Sequence, residues 1–292
     1  MRIEAPAKLN LFLEVLAQEV SGYHQLETLF CALDLADELE LERTAAGISL
    51  EVEGAKLGGV EENLVYRAAL AYQAARGEPT GVSIRLRKLI PAAAGLGGGS
   101  SDAAATLRAL DRMYDRPLGA ARLLEIGAAL GSDVPFFLCG APLALAWGRG
   151  GRLLPLEALP SSDVLLVVPA RGVPTADAFA ALARERRAER ASPPRILRSD
   201  RLCDWEDVAR IAHNDFEPYV FGQLPELGAA KQLLLRQGAT MALLTGSGAA
   251  VYGVFRDANH RSEAEAAIAA QHPGLRLMRT RTAAPPRPLP FG

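Results

Sequence analysis

Hydrophobic and polar positions alternate from the first residues of the chain. Between Arg2 and Leu16, the residues Ile3, Ala5, Ala7, Leu9, Leu11 and Leu13 fall on one face, and Lys8 and Asn10 sit side by side on the other. A period of two predicts a strand. Strand-like runs follow at 39–42 and 48–52. Asn63 stands just before Leu64, Ala68, Tyr72 and Ala75, which recur at helical spacing, and this places Asn63 as a helix cap. Next, Val82, Ile84, Leu86 and Ile90 alternate with Ser83, Arg85 and Arg87; a loop of four glycines and two serines from Gly95 to Ser101 follows; then Ala103, Leu107, Leu110 and Tyr114 recur every three or four residues. The order is strand, glycine loop, helix, with Ser101 or Asp102 as the expected cap.

Farther along, the pattern predicts a helix over 120–130 ended by Gly131, a strand over 164–168 and a helix over 226–237. A strand, glycine turn and strand over 241–255, a helix near 262–270 and a strand near 275–279 complete an α+β chain. Between Pro155 and Ser162 the periodicity breaks, which divides the chain into 1–158 and 159–282. The proline-rich tail 283–292 is expected to be disordered, and the arginine-rich stretch 184–201 to be an exposed connection.

Composition narrows the class. With 49% hydrophobic and 23% charged residues, the 292-residue chain is globular. No apolar run approaches the roughly 20 residues of a membrane helix, and no leader pattern precedes the first strand, so a cytoplasmic protein is expected. The three cysteines, Cys31, Cys139 and Cys203, lie far apart, without zinc spacing. A net charge of −2 argues against a nucleic-acid surface. The lysines are Lys8, Lys56, Lys88 and Lys231; every other cation among the 32 Lys and Arg is arginine, so lysine is the rarer choice here.

The glycine loop carries the first chemistry. Pro91-Ala92-Ala93-Ala94-Gly95-Leu96-Gly97-Gly98-Gly99-Ser100-Ser101 gathers flexible backbone and amide donors at the start of a helix, where the dipole favours an anion such as phosphate. It is no Walker A loop, since Gly99 is followed by Ser-Ser-Asp and not by Lys-Ser/Thr, and no strand follows within reach to end in the acidic residue of a dinucleotide fingerprint. Lys8, and an Asp133 beside Val-Pro-Phe-Phe, would supply the cation and proton acceptor that phosphoryl transfer requires. Tyr23 and His24 are an aromatic pair able to stack on a base and bond its edge. Thr245-Gly246-Ser247-Gly248 is a second small-residue loop.

Together these residues resemble the GHMP kinase superfamily. The stretch 91–101 is similar to the superfamily's second motif and 245–249 to its third. Pro6 to Leu13, Gly22-Tyr23-His24-Gln25-Leu26, Gly131 to Phe137 and His213-Asn214-Asp215-Phe216-Glu217 resemble the branch whose substrate is a cytidylylated alcohol. The resemblance implies a two-domain α+β GHMP kinase fold, with an N-terminal domain like domain 2 of ribosomal protein S5 and a ferredoxin-like C-terminal domain. It also implies transfer of a phosphoryl group from ATP to the 2-hydroxyl of cytidylylated methylerythritol in the non-mevalonate route to isoprenoids. By position, Lys8 and Asp133 would be catalytic. Asn10 and Thr175 would hold the substrate, and Tyr23 and Phe179 would sandwich its cytosine, with His24 on the base's edge. Pro91 to Ser101 would wrap the ATP phosphates, Asn63 would border the adenine, and Thr245 to Gly248 would support the loop. Magnesium is expected with ATP, with a hydroxyl of the serine pair as its candidate ligand. Gly151 departs from the superfamily, which often has a glutamate there.

A homoserine- or mevalonate-type kinase of the same superfamily is the alternative, and the base clamp of Tyr23, His24 and Phe179 speaks against it. An RNA-binding module would need a basic face, and a catalytically dead homologue would not need both Lys8 and Asp133. The expected partner is a small molecule, not nucleic acid or membrane, and the chain is expected to act as a monomer or weak homodimer.

Overall fold

The structure is a computed structural model that describes residues 1–18, 24–55, 58–77, 81–115, 118–186 and 202–283. Tyr23, most of the arginine-rich stretch and the tail from 284 lie outside the described residues.

Two sheets lie back to back between two layers of helices. The first contains β1 (Arg2–Gln18), β2 (His24–Thr44), β3 (Ile48–Glu53), β4 (Gly81–Arg87), β5 (Leu143–Gly148), β6 (Arg152–Leu156) and the two-residue β8 (His213–Asn214). Its main order is β3-β4-β2-β1-β8, with β5 joining β2 to β6. Helices α1 (Leu64–Arg76), α2 (Gly98–Met113), α3 (Ala120–Leu130) and α4 (Val134–Cys139) pack on one face through a core that includes Tyr72, Leu107, Phe136, Leu39 and Ile84. The second sheet has β7 (Asp163–Val168), β9 (Met241–Thr245), β10 (Ala250–Phe255) and β11 (Arg276–Arg281), all antiparallel in the order β11-β7-β10-β9. On its outer side are α5 (Thr175–Arg186), α7 (Glu217–Gln223), α8 (Pro225–Arg236) and α9 (Ala258–Gln271), while α6 (Trp205–Ile211) contributes Trp205 and Val208 to the core between the sheets.

Alternation decides which residue enters which core. In β7, Leu165 and Val167 face α8 and α9, and Val164, Leu166 and Val168 face the first sheet, so the run after Asp163 is apolar and buried throughout. In β1, Ala5 joins the helix-side core, whereas Ala7, Leu9 and Leu11 join the core between the sheets. The register shift between Pro6 and Lys8 makes that exchange of faces possible. The irregularity leaves Lys8 and Asn10 buried, at 3% and 1% exposure, within the protein instead of on a wet sheet surface.

The longest strand was only partly visible in the sequence. Only 39–42 reads as strand, yet β2 runs over 21 residues. It pairs with β1 along one edge and with β5 and then β4 along the other, and both its faces are covered, so Leu29 to Leu33 form an unbroken buried run without alternation.

Candidate active site

The glycine loop leads from β4 into α2, but the helix begins earlier than its composition suggests. Ser101 and Asp102 do not cap it. Gly97 occupies the cap position with φ of +71°, no side chain caps the end, and the first intrahelical bond runs from Ser101 N to Gly97 O (2.9 Å). Glycine alone takes that φ without strain, and Gly98, Gly99 and Ser100 lack the bulk to resist helical geometry. The amides of 98–100 are therefore left at the positive end of α2, the arrangement that binds phosphate. They line a cavity of about 630 Å³ whose other walls include Asn63, Leu64, Pro91 and Thr175. Asn63 caps α1 as expected, its side chain accepting from Val65 N at 2.9 Å.

Lys8 runs beneath this loop. A Cβ on Gly97 would lie 3.0 Å from Lys8 Cγ and 3.0 Å from Phe137 Cζ, so the missing side chain is the space the lysine occupies. Lys8 Nζ donates to Asn10 Oδ1 at 2.5 Å and stands 3.5 Å from Asp133 Oδ2. Burial pushes the Lys8 pKa below the ordinary lysine value, and the Asp133 charge and hydrogen bond oppose that shift. Asp133 itself is 31% exposed, at the end of a turn that enters α4. Gly150 packs against that turn: a Cβ there would meet Ser132 O at 2.6 Å.

Asn10 acts as a hub. Its Oδ1 accepts from Lys8 Nζ, from Gly246 N at 2.8 Å and from Thr245 Oγ1 at 3.3 Å, and its Nδ2 donates to Thr28 Oγ1 at 2.7 Å. With its carbonyl so occupied, it orients Lys8 through the second loop. That loop presses on the first: Thr245 Oγ1 donates to Gly95 O at 3.2 Å, and Ala250 N to Ala94 O at 3.2 Å. Asn214 fixes the second loop in turn, donating to Leu244 O at 2.8 Å and Gly246 O at 2.9 Å. The stretch 213–217 is thus a clasp, with Asp215 Oδ2 accepting from Val15 N and Glu217 Oε1 from Leu244 N. Its short side chains between a strand and a helix were the signal for this role.

A second cavity, about 280 Å³, opens beside the first and shares Gly95, Gly97 and Thr175 with it. Lys8, Asp133, Phe179 and Ser247 are among its walls. Thr175 Oγ1 and Ser247 Oγ are 2.8 Å apart. Near this cavity His24 stacks on Phe179 (centroids 4.7 Å apart, planes at 28°), and Phe216 meets Phe179 edge-on at 4.8 Å. The His24 Nε2 atom is buried without a hydrogen-bond partner. An orphaned ring nitrogen beside an aromatic face is suited to a base edge.

Sequence reasoning passed over Lys88. Its Nζ bonds Asp37 Oδ2 and, at 2.7 Å, Asp102 Oδ2; Asp37 Oδ1 also takes the amides of Leu89 (2.6 Å) and Ile90 (2.8 Å). The three groups are buried under Gly98, whose Cβ would come within 3.1 Å of Lys88 Nζ. The rarity of lysine in this chain was the available signal. Burial raises Asp102 from 3.8 to about 7, with the Lys88 charge opposing and the Asp37 charge adding to the rise. A protonated Asp102 leaves the cluster neutral, so Lys88 braces the loop's base.

The raised pKa sets a stability prediction. The stability that the proton on Asp102 confers is complete below 3.8 and is lost as pH rises through about 7. Asp102→Asn, which still accepts from Lys88, is therefore expected to gain on the parent protein between pH 4 and 7 by up to about 1.4 kcal/mol per unit. Urea unfolding at pH 5 and pH 8 reads this directly; an equal difference at both values would count against the buried proton.

Among the described residues no three His, Cys, Asp or Glu gather to hold a metal ion, and no helix is long and apolar enough to cross a membrane. The donors suit a nucleotide better than a bare ion. The loop offers uncapped amides, and Ser101 Oγ and Asp102 Oδ1 are buried oxygens without partners at the first turn of α2.

The chain matches the sequence families of the GHMP kinases N terminal domain over residues 63–141 and the GHMP kinases C terminal region over 201–274. It is 44% identical over 254 residues to the 4-diphosphocytidyl-2-C-methyl-D-erythritol kinase of Pelotomaculum thermopropionicum, covering 87% of this chain and 88% of that one. It is 42% identical to the protein of the same name from Syntrophus aciditrophicus, covering 92% and 94%. A crystal structure of 4-(cytidine 5'-diphospho)-2C-methyl-D-erythritol kinase superposes with a TM-score of 0.80 at 37% identity, over 97% of this chain and all of the other. Together with the paired cavities around Lys8 and Asp133, these likenesses mean that the chain belongs to the GHMP kinases, in the family of the 4-diphosphocytidyl-2-C-methyl-D-erythritol kinases.

Proposed function

We propose that this chain transfers the γ-phosphoryl group of ATP to the 2-hydroxyl of 4-diphosphocytidyl-2-C-methyl-D-erythritol, a step of non-mevalonate isoprenoid synthesis in the cytoplasm. The observation that carries the reading is the pair of cavities joined at Gly95, Gly97 and Thr175, with Lys8 and Asp133 on the acceptor side. ATP lies in the larger cavity, with its phosphates on the amides of 98–100 and its base toward Asn63. A hydroxyl of the Ser100–Ser101 pair would be the chain's ligand for magnesium. Magnesium supplies charge neutralisation on the phosphates.

In the smaller cavity the acceptor hydroxyl faces Asp133. Its oxygen attacks the γ-phosphorus, its proton passes to the Asp133 carboxylate, and the bond from γ-phosphorus to the departing ADP oxygen breaks. Lys8, held by Asn10, stabilises charge on the moving group. The cytosine stacks on Phe179, with His24 Nε2 at its edge. His24 covers part of the Phe179 ring, so the imidazole turns aside as the base enters. The same reading divides the chain into units 1–158 and 159–282, with the site between them.

Release of ADP from ATP and magnesium, measured with the cytidylylated alcohol, homoserine and mevalonate in turn, tests the assignment. Turnover with the first alone is expected; turnover confined to homoserine or mevalonate would sink the substrate. Phe179→Ala is expected to raise KM for the alcohol at least about tenfold, the loss of one stacked base, with KM for ATP unchanged. An unchanged KM for the alcohol would remove Phe179 from base recognition.

A further inference from the structure

A third cavity, about 260 Å³, lies apart from the two already described, between α2, α3, α4 and β6. Its walls are aliphatic, from Leu123 and Leu124 of α3, Leu138 of α4, and Leu153 and Pro155 of β6. Among the described residues, one charged side chain lines it, Arg108 from the third turn of α2. That arginine is half-buried, its Nε is buried without a hydrogen-bond partner, and none of the ion pairs among the described residues involves it. A buried guanidinium N–H without an acceptor is costly in a folded protein and can be satisfied by an anion. The surrounding field agrees. Burial and the neighbouring Arg112 charge both lower the Arg108 pKa, and no carboxylate acts against them. Gly151 also lines this cavity, and nothing lies within 4 Å of where its side chain would be.

We infer that this cavity is a binding site for a small aliphatic anion, a phosphate or carboxylate group bonded to Arg108 with its hydrocarbon chain among Leu123, Leu124, Leu138 and Leu153. The volume suits a short chain and is too small for a nucleotide. The arginine supplies a planar fork for the head group, and the leucines shelter the chain from water. Neither Arg108 nor any of these leucines borders the nucleotide or acceptor cavity. The site therefore stands whether or not the proposed substrate is correct.

Calorimetry on the full chain with hexyl phosphate as the probe, under saturating ADP to fill the glycine loop, tests the proposal. Inorganic phosphate and hexanol serve as the two half-probes. Hexyl phosphate is expected to bind at least about tenfold more tightly than either half, since a charge-assisted bond and an apolar chain act together. Arg108→Gln is expected to remove that advantage, Arg108→Lys to recover part of it, and Leu153→Trp, which fills the cavity from a half-exposed strand position, to abolish binding. Thermal unfolding of each variant confirms folding. Absent binding, equal affinity for hexanol, or unchanged affinity in folded Arg108→Gln or Leu153→Trp would each overturn the proposal.

Discussion

Asp133→Asn is expected to lower kcat by about 10²- to 10⁴-fold, the usual worth of a positioned general base. ATP affinity should stay as it was. Asp133 lines the acceptor cavity and not the nucleotide cavity, so its loss removes the proton acceptor without touching the phosphate cradle. Asparagine keeps the shape and leaves Lys8 with Asn10 as its remaining close partner. Steady-state kinetics give kcat, and calorimetry with a non-hydrolysable ATP analogue gives the affinity. Near-normal turnover would take Asp133 out of the chemistry, and a parallel loss of ATP affinity would place it with the nucleotide instead.

The second large effect is on the contact between the two small-residue loops. Gly95 has φ of +76°, and a Cβ there would lie 2.1 Å from Thr245 O. The obstacle is backbone, so no rotamer relieves it, and Gly95→Ala must part the loops. That separation breaks the bond from Thr245 to Gly95 and disturbs the Gly246 amide that holds Asn10, and through Asn10 it loosens Lys8. A stability loss of about 3 kcal/mol or more is expected, combining left-handed strain with lost buried bonds. KM for ATP should rise and kcat fall together. Gly77→Ala is the control: its φ is +74° but nothing lies within 4 Å of the added carbon, so it carries the strain alone, about 1 kcal/mol. If both substitutions cost the same, the loop-to-loop contact is not what fixes the site.

The phosphate loop and Lys8 were visible in the sequence because local patterns encode them. Alternation places Lys8 and Asn10 on one face of β1, and glycines crowd where strand gives way to helix. Other features rest on contacts between distant segments. Asp37 and Lys88 come together because the β2–β4 ladder runs to Glu38 opposite Arg87, which leaves the next residue of each strand adjacent. Asn214 reaches the second loop through a two-residue parallel pairing with β1 that no periodicity announces. The resemblance implies that Asn10 contacts substrate, and Asn10 lines the smaller cavity. Its hydrogen bonds add a link to the lysine, since Lys8 Nζ and the Gly246 amide both donate to its carbonyl oxygen.

The most direct test of the central claim is a crystal structure with a non-hydrolysable ATP analogue and the cytidylylated methylerythritol bound together. The account predicts the 2-hydroxyl within about 3.2 Å of the Asp133 carboxylate, the γ-phosphate between the amides of 98–100 and Lys8, and the cytosine on Phe179. A 2-hydroxyl turned away from Asp133, or a triphosphate lying outside the glycine loop, would contradict it.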